Sequence, residues 1–170
     1  MSEFEKPNIL LVDDRSENLL ALEGVLEDEE YELFKTTSGQ EALRLVLKHD
    51  FDLILLDVQM PEMDGFEVAK LLRSKKKSED IPIIFITAIS KERKYVDKGF
   101  EIGAENYLFK PIEPEVLKSK VKASLHYHDY RKRMKVHEAR LLERKKEKQG
   151  AKNNLSYSGP LKPPLCHLAV

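Results

Sequence analysis

The sequence predicts an α/β protein: a doubly wound, five-stranded parallel sheet followed by an extended C-terminal helix. Two observations predict this class. Short runs rich in Ile, Leu, Val and Phe alternate with segments in which apolar residues recur at helical spacing. Several of the short runs are apolar throughout, so neither of their faces suits water. Strands of this kind occur in parallel sheets that are buried between two layers of helices.

The first half of the chain contains three of the predicted strands. An apolar run at 8–12 is followed by Leu and Val at helical spacing to about residue 28. The second strand is predicted at 31–36. The next helix begins after Ser38, because Ser38 and Glu41 form a capping-box pattern. The third strand, at 51–56, leads directly into a carboxylate, Asp57.

The second half continues the alternation of helices and strands. The pattern predicts helices at 65–73 and 91–103, and strands at 81–86 and 106–109. A last helix begins near Pro114. Its core-facing stripe is predicted to consist of Val116, Leu117, Val121 and Leu125.

Composition restricts the class of protein further. Cys166 is the single cysteine, so an internal disulfide and a cysteine-rich metal site are both excluded. The N-terminal residues show no apolar signal core, and no apolar stretch approaches the roughly 20 residues of a membrane span. We therefore expect a reducing, cytoplasmic setting and no membrane partner.

Five polar residues follow the predicted strands at their carboxyl ends: Asp13 and Asp14, Asp57, Thr87, and Lys110. Ligands of doubly wound domains bind at this edge of the sheet. Clustered carboxylates repel one another and favour a hard cation such as Mg²⁺. A carboxylate beside a cation and an ammonium also suits phosphoryl transfer. Asp57, on the third strand in sequence, is the predicted nucleophile, and Asp13 and Asp14 are the predicted metal ligands.

A single aspartate after a strand is more often a helix N-cap than a ligand. Asp64 is interpreted in this way, as a loop or cap residue. The other strand-end residues favour a site because they occur together.

Four stretches resemble the response-regulator receiver family of two-component signalling, which is CheY-like; they are 10–14, 55–65, 85–88 and 103–111. The resemblance implies a flavodoxin-like fold over residues 7–125. It also implies that a sensor histidine kinase or a phosphotransfer domain donates a phosphoryl group to Asp57. By the same matching, Mg²⁺ (or Mn²⁺) would be held by Asp13, Asp14, Asp57 and the backbone carbonyl of Gln59.

The resemblance assigns further roles near the end of the domain. Thr87 and Lys110 would hold the phosphoryl oxygens, and Lys110–Pro111 would be a cis peptide that orients the lysine. Thr87 and Tyr107 would form the switch, with Tyr107 turning inward after phosphorylation. The output surface would then comprise the fourth helix, the fifth strand and the fifth helix.

A metal-dependent aspartyl phosphatase is the alternative function, since it also needs clustered acids, Thr and Lys. Such phosphatases generally present a second aspartate two residues after the nucleophile, and here that position is Gln59. We therefore expect a signalling module that takes part only in its own phosphorylation and dephosphorylation, and no enzyme that acts on other substrates.

The remaining chain differs from this domain in charge. Residues 1–127 contain 18 Lys and Arg against 26 Asp and Glu, a net of −8, whereas residues 128–170 contain 11 against 4, a net of +7. An extended basic helix is predicted at 126–149. The Gly, Ser and Pro composition of 150–170 predicts disorder.

Two interpretations of the basic helix stay open. Tyr127, Met134 and Leu141 recur every seven residues, with Tyr130 and His137 between them, which is a short heptad pattern. The helix could form a homodimeric coiled coil, or it could be a charged linker surrounded by solvent. Nucleic acid is not expected as a partner, because no helix-turn-helix pattern follows the domain.

Overall fold

The computed structural model describes residues 5–88, 98, 101 and 106–157, and for residues 154–157 it describes the backbone only. Five strands and four helices are defined within these residues. The strands are β1 (Asn8–Val12), β2 (Glu32–Thr36), β3 (Leu53–Asp57), β4 (Ile83–Thr87) and β5 (Asn106–Phe109). The helices are α1 (Ser16–Leu26), α2 (Gly39–Lys48), α3 (Gly65–Arg73) and α4 (Pro114–Tyr157).

The five strands form one parallel sheet in the order β2-β1-β3-β4-β5. The order reverses direction after β2, so β1 and β3 are adjacent at the centre. This arrangement confirms the predicted doubly wound sheet. It also brings the carboxyl ends of β1 and β3 together at one edge.

Helices cover both faces of the sheet, and alternate residues of each strand enter two separate apolar clusters. One cluster joins the strands to α2 and α3 and includes Phe85 and Tyr107. The other joins the strands to α1 and α4 and includes Leu108, Leu117 and Val121. β3 and β4 are apolar almost throughout because both of their faces are buried.

The predicted helix caps are present. The hydroxyl of Ser38 accepts a hydrogen bond from the backbone N–H of Glu41 at 3.3 Å, at the start of α2. A carboxylate oxygen of Asp64 accepts one from the N–H of Glu67 at 2.9 Å, at the start of α3. Asp64 is therefore a cap, as its isolated position indicated.

Two details of α4 correct the sequence interpretation. Val116 is 40% exposed and does not belong to the core-facing stripe, because it lies about 100° around the helix from buried Leu117. The helix also ends at Tyr157 rather than near residue 149. Gly150 costs a helix about 1 kcal/mol but does not end it, and residues 158–170 lie outside the described part of the chain.

The predicted fourth helix, 91–103, falls largely outside the described residues, of which Lys98 and Glu101 are helical. The chain divides into two compact units, residues 1–129 and 130–170. Among the described residues, no helix combines the length and the hydropathy needed to cross a membrane.

Candidate functional site

The carboxyl edge of the sheet carries a cluster of three aspartates. Asp13 and Asp14 follow β1, and Asp57 ends β3, the neighbouring strand. Each carboxylate offers an oxygen that lies within 4.8 Å of the other two. Asp13 and Asp57 are buried, whereas Asp14 is more open to solvent. The three residues therefore form one pocket of oxygen atoms.

Lys110 provides the positive charge of this edge. Its Nζ lies 3.2 Å from Oδ2 of Asp13 and 3.5 Å from Oδ1 of Asp57. The backbone N–H of Lys110 donates to the carbonyl oxygen of Thr87 at 2.9 Å, which joins the ends of β4 and β5. The Lys110–Pro111 peptide is cis, as the resemblance implied.

Asp13 has a set of hydrogen bonds that sequence reasoning did not identify. Its Oδ1 accepts from the backbone N–H of Arg15 at 3.0 Å and from Nδ2 of Asn18 at 3.2 Å. The position of Asn18 in the first turn of α1, five residues after Asp13, is the signal that could have indicated it. Asp13 is thus held in place from two sides, by α1 and by Lys110.

The electrostatics of the cluster affect Asp57 most clearly. Burial, and then the neighbouring charge of Asp13, raise the pKa of Asp57 to about 6, while Lys110 opposes this rise and Asp14 adds to it. The ordinary value is 3.8. Negative charge at Asp57 is therefore costly unless a further cation approaches.

The remaining predicted residues occupy different places. Thr87 ends β4 and is 1% exposed, one position beyond the pair that joins Asp57 to Ile86. Gln59 and Asp14 line the same open cleft beside the cluster. Tyr107 lies away from the carboxylates, buried against Phe85 with the two ring centroids 5.4 Å apart.

The loop after Asp57 returns very close to the end of β3. The backbone N–H of Gly65 donates to the carbonyl oxygen of Val58 at 2.9 Å. A Cβ at position 65 would lie 2.3 Å from the carbonyl oxygen of Asp57. A glycine is therefore required for α3 to begin directly beside the cluster.

The donor set fits a hard divalent cation. Three carboxylates with oxygens in mutual reach and an open side toward solvent suit Mg²⁺, which keeps several waters and takes one or two protein carboxylates. No sulfur or imidazole takes part in this group, so softer metals have no preferred ligand here.

A doubly wound sheet with an acidic pocket, a lysine and a buried threonine at its carboxyl edge defines a receiver-type signalling domain. The family model for the response regulator receiver domain matches residues 9–122. The chain belongs to this family. It is a receiver domain of two-component signalling, and domains of this family act as phosphorylation-dependent switches.

Individual relatives agree with this assignment. The chain is 42% identical over 117 residues to the transcriptional regulatory protein SrrA of Staphylococcus aureus, a match over 69% of this chain and 47% of that protein. The chain thus spans about half the length of the curated relatives it matches.

Solved structures show the same fold. The chemotaxis protein CheY4 of Vibrio cholerae superposes with a TM-score of 0.67 and 32% identity, over 71% of this chain and 99% of that one. A putative response regulator from Chloroflexus aurantiacus gives 0.68 and 35%, over 72% and 99%.

Proposed function

We propose that this chain accepts a phosphoryl group on Asp57 from a sensor histidine kinase or a phosphotransfer domain, and relays the event to a partner. The position of Asp57 carries the proposal. Its carboxylate is buried at the edge of the sheet, 3.5 Å from the ammonium of Lys110 and within 4.8 Å of oxygens of Asp13 and Asp14. An attacking carboxylate needs this combination of positive charge and cation-binding oxygens.

The chemistry follows from these groups. With a pKa of about 6, Asp57 is mostly ionised at pH 7 and can attack phosphorus. One carboxylate oxygen forms the new bond to phosphorus while the bond to the donor breaks, and the donor keeps that electron pair. Lys110 neutralises negative charge on the phosphoryl oxygens, and the hydroxyl of Thr87 donates to one of them.

A divalent cation, Mg²⁺ or Mn²⁺, belongs to this proposal. Asp13, Asp14 and Asp57 would hold it, and the backbone carbonyl of Gln59, at the same cleft, would add a fourth oxygen. The cation would supply positive charge that offsets the repulsion between carboxylates and phosphoryl oxygens.

Mn²⁺ binding, followed by the electron paramagnetic resonance signal of the free ion, tests this metal site. Asp14→Ala should weaken binding by about tenfold or more, because one of two or three direct carboxylate ligands is lost. Glu62→Ala is the matched control, since it removes an acid from the neighbouring loop outside the cluster. Equal affinities of the two variants would contradict the assignment of Asp14.

Phosphorylation is tested with acetyl phosphate and Mg²⁺ by intact mass. The wild-type chain should gain one phosphoryl group, and Asp57→Ala should gain none. Asp50→Ala is the control, because the Asp50 side chain is 94% exposed and lies before β3, at the other end of that strand. An equal gain in Asp57→Ala, or no gain in the wild type, would reject the proposal.

The switch would run from Thr87 to Tyr107. Phosphorylation adds a charge of about −1.5 to −2, and Thr87 would move toward the new oxygens. Tyr107 is 4% exposed, so its inward position is the one that phosphorylation would stabilise. Thr87→Ala should still be phosphorylated, whereas the change in hydrogen exchange across β5 should be lost.

A homodimer through α4 is the proposed assembly. Within residues 130–157, Tyr130, Met134 and Leu141 are 56%, 41% and 42% exposed and follow heptad spacing. Leu141→Glu should lower the mass found by light scattering. Val136→Glu, at an exposed position on the opposite side of the helix, should not. A monomeric wild type would exclude this assembly.

A further inference from the structure

The backbone around Tyr107 is fastened to α4 by one side chain. Lys120 Nζ donates to the carbonyl oxygen of Tyr107 at 2.7 Å and to Oδ1 of Asn106 at 2.9 Å. The same Oδ1 accepts the backbone N–H of Tyr107 at 2.9 Å. The backbone carbonyl of Tyr107 is therefore bonded to Lys120 directly, and its backbone N–H is connected to Lys120 through Asn106.

This connection matters because Tyr107 and α4 lie on opposite faces of the sheet. The Tyr107 ring packs in the cluster with Phe85, on the side covered by α2 and α3. Helix α4 packs on the other side, where Leu117 and Val121 share a cluster with Leu108. The Tyr107 ring and α4 thus pack on opposite faces, and the backbone of β5 lies between them.

Lys120 is held in the orientation that this connection needs. Leu117 and Val121, three residues before it and one after it, are both fully buried and fix the rotation of the helix. β5 is an edge strand, so its outer carbonyl groups have no neighbouring strand. A lysine stem from the helix can cover that edge while its ammonium reaches two acceptors.

We propose that Lys120 is the positioning residue that couples the switch strand β5 to the C-terminal helix. A change in the position of Tyr107 moves its carbonyl oxygen, and the lysine transmits that movement to α4. The inference rests on the proposed function insofar as Tyr107 is the switch. The contact between strand and helix is independent of phosphorylation and can be tested separately.

The first test uses hydrogen exchange of the unphosphorylated full chain, measured by mass spectrometry. Lys120→Met should speed exchange of the amides in 106–109 by about tenfold, because a charged donor to two acceptors is lost. Lys120→Arg should remain within about twofold of the wild type, since its guanidinium can bond both oxygens. Lys118→Met is the matched control, because the Lys118 side chain makes no ion pair or hydrogen bond within the described part of the chain.

The second test repeats the exchange after phosphorylation with acetyl phosphate and Mg²⁺. In the wild type, exchange should change both in β5 and in residues 114–128. In Lys120→Met the intact mass should still show full phosphorylation, and β5 should still respond, but residues 114–128 should not.

The outcomes of the two tests decide separately on the coupling role of Lys120 and on the proposed function. Unchanged exchange of 106–109 in Lys120→Met, or a helix response that survives in this variant, would overturn the coupling role. A phosphorylated wild type without any helix response would overturn it as well. Failure of the wild type to gain a phosphoryl group would reject the proposed function, and the first test would still decide whether Lys120 holds the strand.

Discussion

The two ends of the sheet use aspartates in opposite ways. At the amino end, Asp52 precedes β3, and its Oδ2 accepts the backbone N–H of Asn8 at 2.9 Å. Its other oxygen lies 3.9 Å from Nε2 of His128, the last buried residue of α4 among those described. This carboxylate lies between β1, β3 and α4, and it accepts a hydrogen bond from the backbone of β1.

At the carboxyl end, three carboxylates lie together, and the ammonium of Lys110 is close to two of them. Lys110 lies within 3.5 Å of both Asp13 and Asp57, and Asp14 adds a third negative charge. The pKa of Asp57 is raised to about 6, mainly by burial and by Asp13. The difference teaches that Asp52 at the amino end stabilises the fold, whereas the carboxylates at the carboxyl end repel one another and gain from a bound cation.

The largest expected effect concerns the close backbone approach at the carboxyl end. Gly65→Ala should lower the free energy of unfolding by about 3 kcal/mol, because the new Cβ would meet the Asp57 carbonyl oxygen at 2.3 Å. Gly24→Ala is the control. A Cβ there has no atom within 4 Å, and alanine should stabilise α1 by about 0.5–1 kcal/mol. Urea unfolding measures both, and similar effects would contradict the close approach.

The next prediction compares the two ends directly, in metal-free buffer. Asp57→Asn should raise the free energy of unfolding at pH 7.5 by about 1–2 kcal/mol, after allowance for solvent at the edge of the site. Asp52→Ala should lower it by about 1–2 kcal/mol, since the Asn8 N–H loses a partly buried acceptor. Opposite signs support the comparison, and equal signs would refute it.

The pH dependence of the Asp57 effect follows from its pKa. Below pH 3.8 the side chain is protonated in both the folded and the unfolded chain, so it carries no penalty. Between pH 3.8 and about 6 the unfolded chain ionises this group while the folded chain keeps the proton, so the wild type loses stability relative to Asp57→Asn, and the loss is complete above about pH 6. Urea unfolding at pH 4 and pH 7.5 should therefore show a larger gain for the variant at the higher pH.

The smallest effect concerns backbone strain in the loop beside the cluster. Glu62 is the one non-glycine residue with a positive φ, 67°, in the described ranges. Glu62→Gly should raise the free energy of unfolding by about 0.5 kcal/mol, because glycine adopts this conformation without a steric penalty. Glu62→Ala removes the same charge but keeps the Cβ, and it should give no such gain in urea unfolding.

Much of the fold could be predicted because its signals are local. The apolar runs of β3 and β4 and the Ser38 and Asp64 caps depend on neighbours within a few residues. The site could be predicted because parallel strands bring their carboxyl ends to one edge, so sequence position stands for spatial position. The end of α4 was predicted wrongly. The Gly, Ser and Pro content after residue 149 suggested a loop, but a single glycine does not end the helix.

By itself, the sequence determined the class of fold and the positions of Asp13, Asp14, Asp57, Thr87 and Lys110. Each apolar run marks a strand, and the polar residue that follows it marks the carboxyl end of that strand. Tertiary structure alone decided that Asn18 supports Asp13 and that Lys120 holds Tyr107. These are contacts between side chains and groups on other elements, and they exist only once α1 and α4 have packed against the sheet. The spacing of apolar residues along the chain does not show which polar atoms then come within hydrogen-bond distance of each other.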